Sequence, residues 1–400
     1  MEKICVVIGR KIQDNLDRDL NLIPAFKRHN INTHFLILGP NFNHSYLNEN
    51  DLKKFEGYPN TVINNLNDLN NFIESFKYYL IASWRDYDFL VKLLKKQKKK
   101  IIIYSDAGGI DFWDNGNKAL FFKSKANQIV YSKARRNKIV NIYRNYLITK
   151  SKITGSLRYE YFSKKYIKND KKLDIVFFPK SIDTLTLKIR DWFKNKNEEW
   201  YENHISQMKK NYRFIYSLCS SMGLKFNVRL HYGTSDKMFA KNFGRDDYEF
   251  WNSIDENLIL YDDERNIFEN MKIGIGVESH SAIDVNLHNK PYIMFKPDYN
   301  LKPSVRGFDL HYLFGNEFFG AHGYNDDQSK LTKHKSFLWL PYWYGLFSEA
   351  KSLENDINLI LKNKTLDFVI LNKIKSFYWG GSDVKASENV ANEATKAWFK

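Results

Sequence analysis

Cysteine is almost missing from this chain: its 400 residues hold only Cys5 and Cys219. Two thiols build neither a disulfide framework nor a zinc-ligand set, so cross-linked mini-domains and zinc-stapled folds are excluded and a reducing compartment is expected. Long apolar runs are missing too. No segment reaches the roughly 18 uninterrupted apolar residues of a membrane-spanning helix. The run Ile4–Ile8 behind Met1-Glu2-Lys3 is too short for a signal peptide, so a cytoplasmic protein is expected. No repeat with a period of roughly 20–50 residues is visible, which removes solenoids. Acidic residues are in deficit, 46 against 62 basic ones, leaving a net charge of +16. That balance attracts polyanions: nucleic acid, anionic lipid or phosphorylated substrates. The charge is spread rather than striped and no nucleic-acid motif accompanies it, so nucleic acid is not the expected partner. The densest cluster, Lys95-Lys96-Gln97-Lys98-Lys99-Lys100, reads as the solvated C-terminal end of a helix. Its other reading is peripheral contact with the anionic inner face of a membrane.

What is present is core material. Hydrophobic residues make up 43% and aromatics 16%, in a chain long enough for two domains. Short apolar runs alternate with amphipathic stretches. Strands are expected at Ile4–Ile8, His34–Leu38, Tyr79–Ala82, Ile101–Tyr104, Gln128–Tyr131 and Lys152–Thr154. Helices are expected over Leu16–Arg28, Leu66–Phe76, Asp86–Leu94 and Lys133–Tyr146, with a polar loop over Asn43–Asn65. After a Lys- and Asn-rich linker at 161–172 the alternation restarts. Strands at Leu173–Phe178, Lys225–Leu230, Leu258–Tyr261, Lys272–Val277 and Pro291–Phe295 surround a long helix over Glu198–Met222 and a short one over Ala282–His288. Helices close the chain at Leu353–Leu361, Leu366–Phe377 and Glu388–Phe399. Such repetition argues for parallel sheets covered on both faces. The expected organisation is an α/β chain of two doubly wound, Rossmann-like domains, 1–160 and 173–380, with a terminal helix at 381–400. Ligands then belong in the crevice at the carboxyl ends of the strands, between the two domains.

The residues after those strands carry the chemistry. Ser279, His280 and Ser281 stand at the turn before the short helix, and Ser281 with Asp284 fits a capping box. The same helix start, with free N–H groups and the positive end of the dipole, suits a phosphate. Gly274 and Gly276 allow close approach of backbone or ligand. His231 and Arg229 end an earlier strand on one face, again suited to phosphate. Lys180 is a cation just past another strand end.

The segment Ser279–Pro291, SHSAIDVNLHNKP, resembles the signature of CDP-glycerol glycerophosphotransferases and bacterial polysialyltransferases. Ser279 and His280 stand at its serine pair, Asp284 at its acidic position and Asn289-Lys290-Pro291 at its end. Arg229-Leu230-His231 is similar to the Arg-x-His of the same families, where the His contacts the donor's phosphate; Tyr232 replaces the following Pro. Gly155 and Arg158 are similar to a looser Thr-Gly-Asn-Pro-Arg element before the linker. The resemblance implies a GT-B architecture and a metal-independent, inverting glycosyltransferase without a cofactor. Its donor is a nucleotide-sugar, first a CMP- or CDP-linked one, and its acceptor a surface glycan or glycolipid. The general base is expected from the first domain. Asp106, after a buried strand and before Gly108-Gly109, is the candidate, with Asp111 behind it. Gly9-Arg10-Lys11 is read as a solvated loop, Asp86 with Asp88 as helix-start carboxylates and Phe337–Tyr344 as interdomain core. The rivals are a nucleotide-sugar epimerase or hydrolase on the same fold and a basic nucleic-acid binder.

Overall fold

The computed structural model describes residues 2–8, 19–39, 42, 52–82, 88–104, 127–130, 151–155, 157–163, 172–179, 182–230, 245–261, 264–276, 281–296, 345–362, 368, 371–372, 375 and 385–399. They divide into two units, Met1–Lys165 with Lys375–Lys400, and Tyr166–Ile374.

The first unit is built on seven parallel strands: β1 (Glu2–Ile8), β2 (Ile31–Leu38), β3 (Asn60–Ile63), β4 (Tyr78–Ala82), β5 (Lys100–Tyr104), β6 (Asn127–Val130) and β7 (Ser151–Ile153). Their order is β3-β2-β1-β4-β5-β6-β7. Ile4 to Ile8 are all buried, as an unbroken apolar run requires of a central strand covered on both faces. The helices are α1 (Leu22–Lys27), α2 (Leu66–Glu74), α3 (Asp88–Lys96) and α4 (Leu157–Ser163). Asn65 caps α2 by accepting from the Asp68 N–H at 2.9 Å.

β3 lies in the stretch expected to be loop. Its pattern, Asn-Thr-Val-Ile with only Ile63 buried, is that of a sheet edge, and so carries little apolar signal. The lysine cluster ends α3: Lys98 has φ 57°, and Lys99 N–H donates to Leu94 O while Lys98 N–H donates to Lys95 O, both at 2.9 Å. That is the double bond of a Schellman stop. Lys99 Nζ then donates to Glu74 O, and Lys100 Nζ to Trp398 O, cations set against the carbonyl ends of two other helices.

His34 of β2 is half-buried beside Phe72 and Phe76 and hydrogen-bonds Thr61 Oγ1 at 2.9 Å. Burial, with Lys3 nearby, holds its pKa below the ordinary histidine value. A lowered folded value means the unfolded chain binds the proton first. The His34 contribution is therefore complete above about pH 7. It falls as the pH drops through the unfolded value and levels off below the folded one. His34→Gln should flatten the fall of the thermal midpoint over that interval.

The second unit carries β8 (Leu173–Phe178), β9 (Phe226–Val228), β10 (Met271–Gly276), β11 (Tyr292–Lys296) and β12 (Gly345–Glu349), all parallel, in the order β12-β11-β10-β8-β9. The helices are α5 (Ile182–Ser221), α6 (Arg245–Asn252), α7 (Glu264–Asn270), α8 (Ser281–Leu287) and α9 (Leu353–Lys362). Ile175, Phe177, Phe226, Val228, Ile273, Ile275, Ile293 and Phe295 face α5, α6 and α9. Phe178, Gly274, Gly276 and Tyr292 lie on the other face, against α7 and α8. The strand expected at Leu258–Tyr261 shrinks to one parallel bridge, Ile259 with Val228, at the β9 edge. The long helix begins earlier than its apolar pattern shows, at Ile182.

The expected terminal helix exists as α10 (Ala386–Phe399), but it is not a separate element: it packs in the first unit, on α1 and α4. Glu160 of α4 accepts from the Ser387 N–H at 2.7 Å and its Oγ at 2.8 Å, capping the first turn. Asn389 Nδ2 donates to Thr154 O, and Arg28 pairs with Glu388. α4 also takes up the start of the stretch read as linker, and the second unit ends at Ile374 rather than 380. The thiols of Cys5 and Cys219 are both buried, and burial pushes Cys219 up to about 12, so it packs as a small apolar residue. Among the described residues no helix is long and apolar enough to cross a membrane.

Candidate functional site

In the second sheet the chain starts at β8, adds β9 on one side, and then crosses back to add β10, β11 and β12 on the other. The point where direction reverses is therefore between β8 and β10. Open parallel sheets bind ligands outside the carboxyl ends of the strands at such a reversal.

Three of the expected elements end there. Lys180 follows β8, His231 follows β9 and Ser279-His280 follow β10; all four residues lie outside the described ones. Their strands are neighbours running the same way, with β8 between the other two. The ends of β9 and β10 are thus about 10 Å apart, two strand spacings. Asp106, in the first unit, also lies outside the described residues, and Arg158 is the second residue of α4, with a side chain outside them.

Ser281 is the first residue of α8 rather than the residue before it, so the expected capping box, which needs Ser281 at the cap, does not fit. Asp284 is buried, 5% exposed, within the first turn. The end of the resemblance has a structural account. Asn289 takes φ 56°, Asn289 N–H donates to Asn286 O at 3.0 Å, and Lys290 N–H donates to Val285 O at 3.2 Å. This Schellman stop ends α8, and Asn286 Nδ2 secures it on Lys290 O at 2.8 Å. Asn289-Lys290-Pro291 thus turns the chain from α8 into β11.

Arg229 is buried, 5% exposed, on the α7 side of β9. Its Nη1 donates to Leu260 O at 3.2 Å and its Nη2 lies 3.5 Å from Glu264 Oε1 in the first turn of α7. The guanidinium ties the β9 end to the start of α7. Arg229→Met leaves the Glu264 carboxylate, 15% exposed, without this partner. The second unit should lose about 2 kcal/mol, seen as a lower urea midpoint. Adding Glu264→Leu should recover more than half of it, because removing both charges is nearly neutral.

Two further residues had no motif to flag them. Asp247 of α6, 2% exposed, accepts from the Ile182 N–H at 3.0 Å. A carboxylate from the protein itself therefore sits on the start of α5, the helix that leaves β8. Its signal was the acidic first turn Asp246-Asp247. Tyr292 is the other. A Cβ at Gly274 would meet its Cδ2 at 2.9 Å and one at Gly276 its Oη at 2.3 Å, so the ring, not a ligand, fills the space above both glycines.

No protein-family model matches the sequence and no curated protein sequence is significantly similar to it. Solved structures are similar over the full length. The Methanocaldococcus jannaschii UDP-GlcNAc 2-epimerase in complex with UDP-GlcNAc and UDP gives a TM-score of 0.58 at 11% identity, covering 98% of this chain and 99% of that one. S. aureus MnaA with UDP gives 0.56 at 10% identity, with 99% and 96% covered. A glycosyltransferase from Rickettsia africae gives 0.54 at 10% identity, with 100% and 99% covered. At such identities the likeness is one of fold. The chain has a GT-B-like α/β fold of two Rossmann-like units, each built on a doubly wound sheet whose described strands run parallel.

Proposed function

We propose that this chain is a metal-independent glycosyltransferase that takes its sugar from a nucleotide-activated donor and binds that donor at the carboxyl edge of the second sheet. One observation carries the reading: β9, β8 and β10, the strands that precede His231, Lys180 and Ser279, are adjacent and parallel at the reversal point of the sheet. Asp247 already caps α5, which leaves the Ser279–Ser281 side for the donor's phosphate. His231, Lys180, Ser279, His280 and Ser281 supply donors to its oxygens. Arg229 acts behind them, holding the β9 end, and Asp284 acts from inside α8. Arg158 is assigned to the donor as a further cation. Asp106 deprotonates the acceptor hydroxyl, a surface glycan or glycolipid, and displacement with inversion follows. The motifs favour a cytidine nucleotide; the UDP in two structures of similar fold supports uridine as the competing choice. Work at the inner face of the cytoplasmic membrane would suit a lipid-linked acceptor and the basic surface.

The test is thermal stabilisation by CMP, CDP, UDP and GDP. A nucleotide at about a hundred times its Kd should raise the midpoint of the second unit by roughly 5–10 °C. No shift with any of the four removes the proposal.

The second reading, a UDP-sugar epimerase, is favoured by the full-length likeness to UDP-GlcNAc 2-epimerases. Against it, the acids described near the strand ends are engaged elsewhere: Asp247 on Ile182, Glu264 on Arg229, and Asp284 buried in α8. UDP-GlcNAc incubated with the protein and no acceptor separates the two. Epimer formation supports the second reading, and an unchanged sugar the first.

A further inference from the structure

We infer that Tyr292 is a positioning residue for the donor-binding turn after β10; this rests on the donor site proposed above. Tyr292 is the first residue of β11 and is paired with Gly274 on one side and Gly345 on the other. It is fully buried, 0% exposed. Its ring does not stand upright on its own strand. It lies across β10, over Gly274 at Cδ2 and over Gly276 at Oη, and so runs toward the carboxyl end of that strand. The same notional Cβ at Gly276 would meet Phe178 O at 2.7 Å, so the hydroxyl and the last carbonyl of β8 converge on one small volume. That volume lies at the reversal point, at Gly276, the last residue of β10. Phe178 flanks the Tyr292 ring at 6.2 Å, Phe268 stacks on Phe178 at 6.0 Å, and His288 lies 5.0 Å from Phe268. The aromatic row fixes the ring on one side and the two glycines on the other.

The sequence supports a purpose beyond filling space. Two glycines in one central strand weaken it, since each forgoes side-chain packing. A Val or Ala pair with a smaller residue at 292 would fill the layer without them. Both glycines are required only because a long, hydroxyl-bearing side chain is laid along the strand. Its polar atom is thereby delivered to the edge where the Ser279 turn begins, and a buried hydroxyl is a strong local organiser.

The experiment uses the full chain and UDP or CMP, whichever stabilises the parent. Tyr292→Phe removes only the hydroxyl. The expected result is a five- to tenfold weaker nucleotide Kd by calorimetry, with the ligand-free thermal midpoint kept within about 2 °C. Gly276→Ala should weaken binding as well and lower the midpoint, because its methyl displaces the hydroxyl. In the Gly276→Ala/Tyr292→Phe pair part of the midpoint should return, since Oη is gone, while binding should stay weak. Stability and affinity then move apart, which a packing role alone would not produce. Unchanged affinity in Tyr292→Phe overturns the inference and leaves the donor site standing. So does an affinity loss that only follows the midpoint. A parent that binds none of the nucleotides overturns both.

Discussion

Trp398→Ala is expected to destabilise the first unit by about 3–5 kcal/mol, the range for deleting a large buried aromatic. Trp398 is 4% exposed and stands near the end of α10, far in sequence from the sheet and helix it packs on. Its ring lies 5.5 Å from Tyr78 of β4 and 6.2 Å from Phe26 of α1. The helix is otherwise held by the small buried residues Ala386, Val390, Ala391 and Ala394, by polar contacts near its start, Glu160 with Ser387 and Asn389 with Thr154, and by the Arg28–Glu388 pair, which is partly exposed and worth little. Removing the indole leaves the far end with the Lys100 ammonium on the Trp398 carbonyl and the half-exposed Phe399 ring 4.7 Å from Tyr78. Amide exchange over 390–399 should rise before exchange in β1, as the helix detaches ahead of the sheet. A change under about 1 kcal/mol would show that α10 docks without this anchor. Trp398→Phe should be much milder. The indole N–H is buried with no partner among the described residues, so its removal offsets part of the lost packing. Phe399, 37% exposed, should matter less than either.

The docking of α10 also marks how far the sequence could be read. Its apolar spacing predicts the helix correctly, yet nothing in that pattern states which sheet it covers. The anchoring pairs join residues over 200 positions apart, Glu160 with Ser387 and Thr154 with Asn389. Central strands were legible because burial on both faces writes an unbroken apolar run, as at Ile4–Ile8 and Leu173–Phe178. The edge strand β3 was not, because it needs only one buried side chain. α5 was half legible. Its apolar spacing is clear near Met208, Tyr212, Ile215 and Cys219, where it meets the sheet, and weak before that. At the candidate site the turn residues carry motifs and the supporting residues carry none. Arg229 looked like a ligand because it stands at a strand end. Its partner Glu264 lies in an acidic stretch that reads as a helix start, and only the fold brings the two together. Tyr292 sent no signal except two glycines one strand away, which read more readily as room for a ligand.

Asp106 and His231 are expected to fail in opposite ways, and the contrast tests the division of labour in the proposed reaction. Asp106→Asn should lower turnover about 10²–10⁴-fold, the contribution of a positioned general base, with the nucleotide-induced thermal shift intact. His231→Ala should lose most of that shift and raise the donor KM, because in the proposed site its contact to a phosphate oxygen would form before the reaction begins. The two functions also belong to separate sheets. Asp106 follows β5 in the first unit, and His231 follows β9 in the second. A base acts on the acceptor and needs no contact with the nucleotide; a phosphate ligand needs none with the acceptor. Their effects should therefore add in the double variant, as for independent sites. Turnover that survives Asp106→Asn removes Asp106 as the base and brings Asp111 forward. A thermal shift that survives His231→Ala removes the β9 end from the site, and with it the pairing of strand ends from which the donor reading was built.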